Sequence, residues 1–557
     1  MTTPPPVDDR VGSDPLARFL SRMGFVSLLC YAAVLGLSFE FRYGEGHADR
    51  PIPAVLATLL VAFIVYLVVA KAVVRAPRDR LIEPARLRLI VGYAVAFRLV
   101  LLPSAPIQEI DYFRYLWDGQ VLAAGGNPFR YSPEQVERLG PSAPPESDLA
   151  EMWDVANRSE TVRTLFDRVH HREVPTIYPP ASQVVFATVA AITPADASLG
   201  THTLVLKLYL LGFDLGTLAV LVALLRRLRL PATWCVGYAW CPIVMKELSN
   251  SAHLDAIAVF FTTVAVYLFA SVRRRAGSSR ERWLALGGGA FLGLGILAKS
   301  YPVVLGPVVA ALLLARLGWR CVFPLAVCGA VVLGGYAPFY SPKRADSGNT
   351  PVTGLGTFLG RWEMNDFLFM IVHENLRPAS AGGAERWFVV VPDARREDVV
   401  AGIRTALGRA GFDVSERQTA FLLTQGVMGL ALTGIVLRLA IGTYRRPTRR
   451  IFLRAAFLTL GWAWLFTSAA NPWYLLWALP LVVFAGRRAW WLLPGLALTY
   501  YLRFWMEYRS LASEGALQEA RNLFDFGVVW LEYLPFFVLL AAETLLPRPR
   551  RSVPPAR

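Results

Sequence analysis

The feature that most constrains this chain is a recurring one: apolar runs of roughly 15 to 24 residues, separated by short breaks rich in Arg or in Pro and Gly. A bilayer is the solvent that suits such runs, because about 20 apolar residues in a helix cross its hydrocarbon core with every backbone polar group satisfied internally. An all-α polytopic membrane protein follows. With 18% charged and 55% hydrophobic residues among 557, intrinsic disorder is excluded. Cys30, Cys235, Cys241, Cys321 and Cys328 lie within or beside apolar runs and read as small core residues, not as a disulfide framework.

The formal charge of +16 raises the question of nucleic acid, and the position of the cations answers it. They stand at the ends of apolar runs. Lys71, Arg75, Arg78, Arg80, Arg86 and Arg88 share one break; Arg438, Arg445, Arg446, Arg449, Arg450 and Arg454 share another that holds no acid. Cytoplasmic loops of membrane proteins carry this excess, so the charge is topological and no nucleic-acid partner is expected.

Charge and length together thread the chain. Residues 1–23 form a cytoplasmic tail without a signal-peptide cleavage site, and 24–103 hold three spans at 24–39, 52–75 and 86–103. The loop 104–202 lies outside; its 104–177 part has seven Arg and no Lys against twelve acids. The apolar stretch 178–193 is about fifteen residues long, short for a span, and lies at the outer interface. Residues 203–339 hold central spans, 340–418 a second outer loop, 419–546 the last spans with a third outer loop at 506–526, and 547–557 a cytoplasmic tail. Arg226, Arg227, Arg229, Arg273, Arg274, Arg275, Arg316, Arg320, Arg487, Arg488, Arg548, Arg550 and Arg551 then all face the cytoplasm. This makes about fourteen spans with both termini inside. In the second outer loop, a strand at 387–391 followed by a helix at 394–410 predicts a small α/β lobe, and the 382–417 element is a place for acceptor recognition. Gly287, Gly288, Gly289, Gly293 and Gly295 sit inside a span and predict close helix packing, not a nucleotide loop.

Ionisable groups near spans need a reason, since each costs about 2.5 to 3.5 kcal/mol at a helix centre. They gather on the deduced outer side: Glu109, Asp111, Arg114 and Asp118; Lys246, Glu247, His253 and Asp255; Lys299, Arg361, Asp366, Arg503 and Glu507. An outward-opening cavity is their simplest container. If 109–119 is helical, Asp111, Arg114, Tyr115 and Asp118 share one face, leaving Phe113, Leu116 and Trp117 to pack or to touch lipid. Asp111 then acts as a general base for a hydroxyl, or pairs with Arg114 on the helix surface.

The core Asp111-x-x-Arg114-Tyr115-x-Trp117-Asp118-Gly119, with Gly126-Asn127-Pro128-Phe129 after it, resembles the first outer loop of bacterial polyprenyl-phosphate-sugar-dependent glycosyltransferases of the GT-C superfamily, the family 87 type and related mannosyltransferases. Four further stretches resemble the same proteins in order: Tyr178-Pro179-Pro180; Asn250, His253 and Asp255 in an Asn-x-x-His-x-Asp pattern after Glu247; Ala298 to Pro302; and Asn471-Pro472-Trp473-Tyr474. The resemblance implies a GT-C-type bundle with outer-face interfacial helices and a catalytic acid in the first outer loop. It implies a lipid-linked sugar as donor, a glycan or lipid-linked acceptor, inversion at the anomeric carbon, and the bacterial inner membrane. The acid maps onto Asp111. Family members often have two adjacent acids where this chain has Ile110 between Glu109 and Asp111, so the division of labour between these two stays open.

On that reading Lys299 contacts the departing phosphate, with Arg361 or Arg503 sharing the task, or else snorkels to the headgroups. Arg114, Tyr115, Asp118, Asn127, Tyr178, Glu247, Asn250, His253 and Asp255 bind sugar or support those that do. Trp473 and Tyr474 are interfacial anchors or stacking platforms. His253 and Asp255 lack an evident third ligand, so neither metal nor other cofactor is expected. The alternative function is a transporter or flippase of lipid-linked sugars, for which internal repeats and midplane sites would speak; neither is evident.

Overall fold

The computed structural model describes residues 14–546 apart from 78, 80, 274–277, 341–347 and 384. The tail beyond 546, expected to be cytoplasmic, the first thirteen residues, and Arg78, Arg80, Arg274, Arg275, Arg548, Arg550 and Arg551 lie outside the described residues. Within them the chain is helical throughout and contains no strand, only a single parallel bridge joining Met364 to Ala469.

Among the described residues six helices are long and apolar enough to cross a membrane: Pro15–Ser38, His47–Arg75, Leu199–Arg227, Tyr301–Phe339, Glu416–Arg445 and Glu514–Leu545. A chain with this make-up is a membrane protein. The first begins upstream of the expected 24, because Asp14 caps it, accepting from the Leu16 and Ala17 amides, and pairs with Arg86 at 2.7 Å. At the spans expected at 52–75, 86–103 and 203–225 stand the helices Ile52–Arg75, Glu83–Leu101 and Leu199–Arg227, of which Glu83–Leu101 is not among the six.

Other apolar segments are broken. Between 232 and 254 the backbone passes through short turns, with Pro242 opening one helical piece and Met245–Asn250 forming a π-turn. Residues 472–484 are wound mostly as 3-10 turns, Pro472–Trp477 and Leu479–Phe484, with Pro472 and Pro480 in their first turns. Proline removes an amide donor and clashes with the preceding turn, so a segment like this cannot continue as one straight helix. π-turns and 3-10 stretches re-aim side chains, and both of these deliver residues to the site below.

The glycine run does what close packing requires. A Cβ at Gly289 would overlap the carbonyl of Pro324, so only glycine lets the Ser279–Ala298 helix approach Val322–Tyr336 this closely. Val322–Tyr336 itself buries only Pro324, and its apolar surface faces outward, as lipid contact demands.

Residues 111–192 fold into a layer of short helices, Asp111–Ala123, Pro133–Leu139, Asp148–Asn157, Glu160–Asp167 and Pro180–Ile192. Trp117, Val121, Val136, Met152 and Phe166 form a separate small core beneath it. Pro180–Ile192 is a thirteen-residue apolar helix, too short to span, and packs along Asp111–Ala123.

The segment after 348 departs from expectation. Residues 387–391 form a turn and not a strand: the Val390 and Val391 amides donate to Asn375 Oδ1 at 2.8 and 3.3 Å, so a side chain takes the donors a ladder would have used. A lone five-residue segment has no neighbouring strand to pair with. The helix expected at 394–410 is present as Asp393–Arg409 and packs against Glu416–Arg445. This part of the chain is helical, not α/β.

Candidate active site

Asp111, Arg114, Tyr115, Tyr178, Lys299, Trp473 and Tyr474, seven of the residues singled out in the sequence, line one cavity of about 1060 Å³, and Glu109 joins them. Its size is at the upper end of the roughly 300–1,000 Å³ found for small-molecule sites.

Asp111 is the first residue of its helix, where the exposed amides of the first turn favour a negative charge. It is partly exposed, and its carboxylate makes no hydrogen bond or ion pair with any described residue. Arg114 does not pair with it: Nη2 donates to the carbonyls of His170 and His171 at 3.1 and 2.8 Å. The surface ion pair is therefore not formed, and both histidines join the cavity wall. Tyr115 stacks on Phe186 at 4.9 Å and meets Tyr178 edge-on, fixing the helix against Pro180–Ile192. Phe113, Leu116 and Trp117 are buried in protein, so no face of this helix is left for lipid.

Glu109 is held where Asp111 is free. Tyr501 Oη lies 3.2 Å from Glu109 Oε1 and 2.8 Å from Glu247 Oε1, while Lys246 Nζ donates to Tyr501 at 2.6 Å. The other oxygen of each carboxylate turns to His253 Nε2, at 3.7 Å for Glu109 and 3.3 Å for Glu247. Burial pushes the Glu109 carboxyl up to about 7, against the pull of His253 and Lys246. His253 stacks on Trp473 at 4.2 Å with rings 15° from parallel, so this buried cluster lies directly behind an aromatic wall of the cavity.

Glu109, Glu247 and His253 also present three ligand atoms within 4.8 Å of one another, spacing that suits a divalent ion. Lys246 stands 3.5 Å from Glu247 and 3.9 Å from Glu109, so the two carboxylates already face a cation.

Asp255 is not part of that group. It pairs with Lys299, whose Nζ is 2.9 and 2.8 Å from its two oxygens, and it accepts from Trp477 Nε1 at 2.7 Å. Lys299 Nζ also sits 4.1 Å above the Tyr474 ring. The ammonium is thus held by side chains and partly exposed at the cavity, not snorkelled into bulk headgroups.

Other residues act from further away. Asn250 Oδ1 accepts from the Ile107 amide at 3.0 Å and Nδ2 donates to Ser104 Oγ and the Ala105 carbonyl, pinning the segment that leads into Glu109. Asp118 is buried behind the helix, accepting from Gln183 at 3.1 Å. Asn127 closes a local turn and donates to the Phe339 carbonyl, away from the cavity. Arg503 pairs with Asp525 and Glu507 at 3.1 and 3.6 Å, and Arg361 is exposed at a helix end; neither lines the cavity. Tyr501, Trp477, His170 and His171 are members that the sequence did not single out, since lone aromatic residues carry no local signal.

Two walls of the cavity differ in chemistry. Leu355, Phe358, Leu359, Met428, Leu432 and Phe466 make an apolar one; Tyr43, His47, Arg50, Gln108, Phe504 and Tyr508 make an aromatic, polar one. Among lining residues the Lys and Arg cations are Arg50, Arg114 and Lys299, and the two arginines are committed to protein carbonyl groups.

Comparison with known proteins adds one match. Residues 42–315 match the MptA_B family, described as Alpha-(1->6)-mannopyranosyltransferase, N-terminal domain, and this stretch contains every first-loop residue named above as well as Glu247, His253, Asp255 and Lys299. No curated protein matches the chain. The chain is thus a glycosyltransferase of the mannosyltransferase kind, similar over residues 42–315 to the N-terminal domain of the alpha-(1->6)-mannopyranosyltransferase family.

Proposed function

We propose that the protein moves a hexose, mannose by its family, from a polyprenyl phosphate to a glycan or glycolipid acceptor, with inversion at the anomeric carbon. The observation that carries this reading is the company Asp111 keeps: a carboxylate without a protein partner, a cation at Lys299 and an extended apolar wall share one cavity. A nucleotide-sugar donor has no use for that wall, whereas a prenyl chain does.

In this reaction Asp111 takes the proton of an acceptor hydroxyl as its oxygen bonds to the anomeric carbon. The bond from that carbon to the phosphate oxygen breaks, and the electron pair leaves with the phosphate. Lys299 neutralises the charge that develops there. Glu109, fixed by Tyr501 and backed by Lys246 and His253, shapes the field around the base and is not itself the base. Trp473 and Tyr474 serve as stacking surfaces, and Asn250, Asp118, Glu247, His253 and Asp255 position the residues that touch substrate.

The membrane topology belongs to the same proposal. The shorter and broken apolar segments join the six long helices to make about fourteen crossings, with both termini cytoplasmic and the loops 104–202 and 340–418 outside a bacterial inner membrane. A donor with its tail in the bilayer then presents its sugar to the cavity without leaving the lipid.

Purified protein, given labelled polyprenyl-phosphate mannose and a mannooligosaccharide, is expected to transfer label. Asp111→Asn is expected to lose about 10²- to 10⁴-fold of the rate. Turnover within a few-fold of wild type in that variant removes Asp111 as the base; lipid translocation in vesicles with no transfer removes the donor assignment.

A further inference from the structure

The aromatic, polar wall is built from two segments distant in sequence, around 41–50 and around 504–508, and it is braced rather than loose. Arg50 Nη1 donates to Gln108 Oε1 at 2.8 Å and to Tyr508 Oη at 3.3 Å, Arg50 Nη2 donates to the Arg42 carbonyl at 2.6 Å, and Gln108 Nε2 donates to Tyr508 Oη at 2.9 Å. His47 meets the Tyr508 ring edge-on at 4.9 Å, and the Arg50 guanidinium lies 5.3 Å from the same ring. Gln108 holds a left-handed backbone, φ 60°, that side chains larger than glycine seldom adopt. Strain of this sort persists only where surrounding bonds over-determine it, and here it places the brace one residue before Glu109 and three before Asp111.

This wall is the wrong place for a phosphate. The cation that lines it, Arg50, has both terminal nitrogens bonded to protein oxygens, Arg168 lies 4.6 Å over the Tyr43 ring without lining the cavity, and the acid Glu507 lines the cavity beside Arg50. It is equally unlike the apolar wall. Cavity-lining, partly exposed aromatic rings with hydroxyl, imidazole and amide groups around them fit a neutral ligand with apolar faces and many hydroxyls, which is a sugar chain.

We propose that the wall formed by Tyr43, His47, Phe504 and Tyr508 is the acceptor subsite, that it binds the terminal sugars of a mannose-containing glycan, and that Tyr508 is its principal stacking surface. The inference rests on the transferase reading above and adds where the acceptor lies. The Arg50–Gln108–Tyr508 brace ties this surface to the segment bearing Glu109 and Asp111, so an acceptor seated on Tyr508 has its reacting hydroxyl delivered toward the acids.

The test uses the full-length protein in nanodiscs with alpha-1,6-linked mannotriose, binding being followed by saturation-transfer NMR and donor affinity measured separately with polyprenyl-phosphate mannose. Tyr508→Leu is expected to weaken mannotriose binding about tenfold, the size of effect typical of a buried aromatic anchor, and to leave donor affinity within twofold. Tyr508→Phe, which keeps the ring, is expected to stay within about threefold of wild type. His47→Ala supplies a second reading should Tyr508→Leu fail to fold. The proposal is overturned if wild type does not bind mannotriose, if neither substitution weakens it, or if donor affinity falls by the same factor. Tyr508-dependent mannotriose binding in a protein that never consumes polyprenyl-phosphate mannose would sink the donor assignment and leave the subsite standing.

Discussion

Lys299 and Asp255 form a two-point ion pair across 44 residues of sequence, with Nζ 2.9 Å from Oδ1 and 2.8 Å from Oδ2, Asp255 fully buried and Lys299 partly open to the cavity. Asp255 opens the Asp255–Ser271 helix and Lys299 follows Ser279–Ala298, so the pair ties together two neighbouring helices at the level of the cavity.

Breaking this pair from one side strands a charge in a poorly solvated place. Lys299→Met and Asp255→Asn are each expected to lower thermal stability, by about 3–5 kcal/mol for a buried pair cut singly. The double variant is expected to be more stable than Asp255→Asn alone, because no lone ammonium remains. Unfolding of the four proteins in the same detergent checks this, and additive losses would contradict it.

A pH dependence follows from Glu109. Its carboxyl is raised by burial from 4.5 to about 7, so between those values the folded protein keeps a proton that the unfolded chain has released. Stability from this group is therefore full below the unfolded value and is lost as pH rises through the folded one. Melting curves taken from about pH 5 to about pH 8 are expected to fall more steeply for wild type than for Glu109→Gln, which has no proton to lose. Parallel curves would show that Glu109 does not titrate in this window.

Gly119 is a packing prediction with a functional consequence. A Cβ there would overlap the Phe186 backbone carbonyl, which cannot swing aside as a side-chain tip can. Gly119→Ala is expected to cost about 1–3 kcal/mol and to push apart the Asp111–Ala123 and Pro180–Ile192 helices. Since Asp111 begins the first of these, transfer activity should fall further than in a variant of equal stability loss elsewhere, such as Gly461→Ala, whose Cβ would meet the Trp490 ring.

Much of this protein was legible in one dimension. Apolar run length marks the long helices, since a bilayer-spanning helix announces itself by composition alone. Period 3.6 over 111–118 indicates a helix with Asp111, Arg114, Tyr115 and Asp118 on one side, and the glycine run indicates close packing; Gly289 against Pro324 bears that out. The order of short motifs pointed to a family that the 42–315 match then supplied. The strand expected at 387–391 failed because a strand is a property of a pair, and this segment has no neighbour to make one.

Partnership is what the tertiary structure decided. Nothing along the chain reveals that Asp255 leaves His253 for Lys299, that Glu109 shares Tyr501 with Glu247, or that Arg114 spends its donors on the 170–171 carbonyls while Asp111 keeps none. Hydrogen bonds and ion pairs act over about 3 Å, whereas these partners lie tens to hundreds of residues apart, and only folding brings them within that range. Residue types and run lengths are local and survive in a string of letters; which carboxylate is tethered and which is free depends on three-dimensional neighbours, and so emerges with the fold.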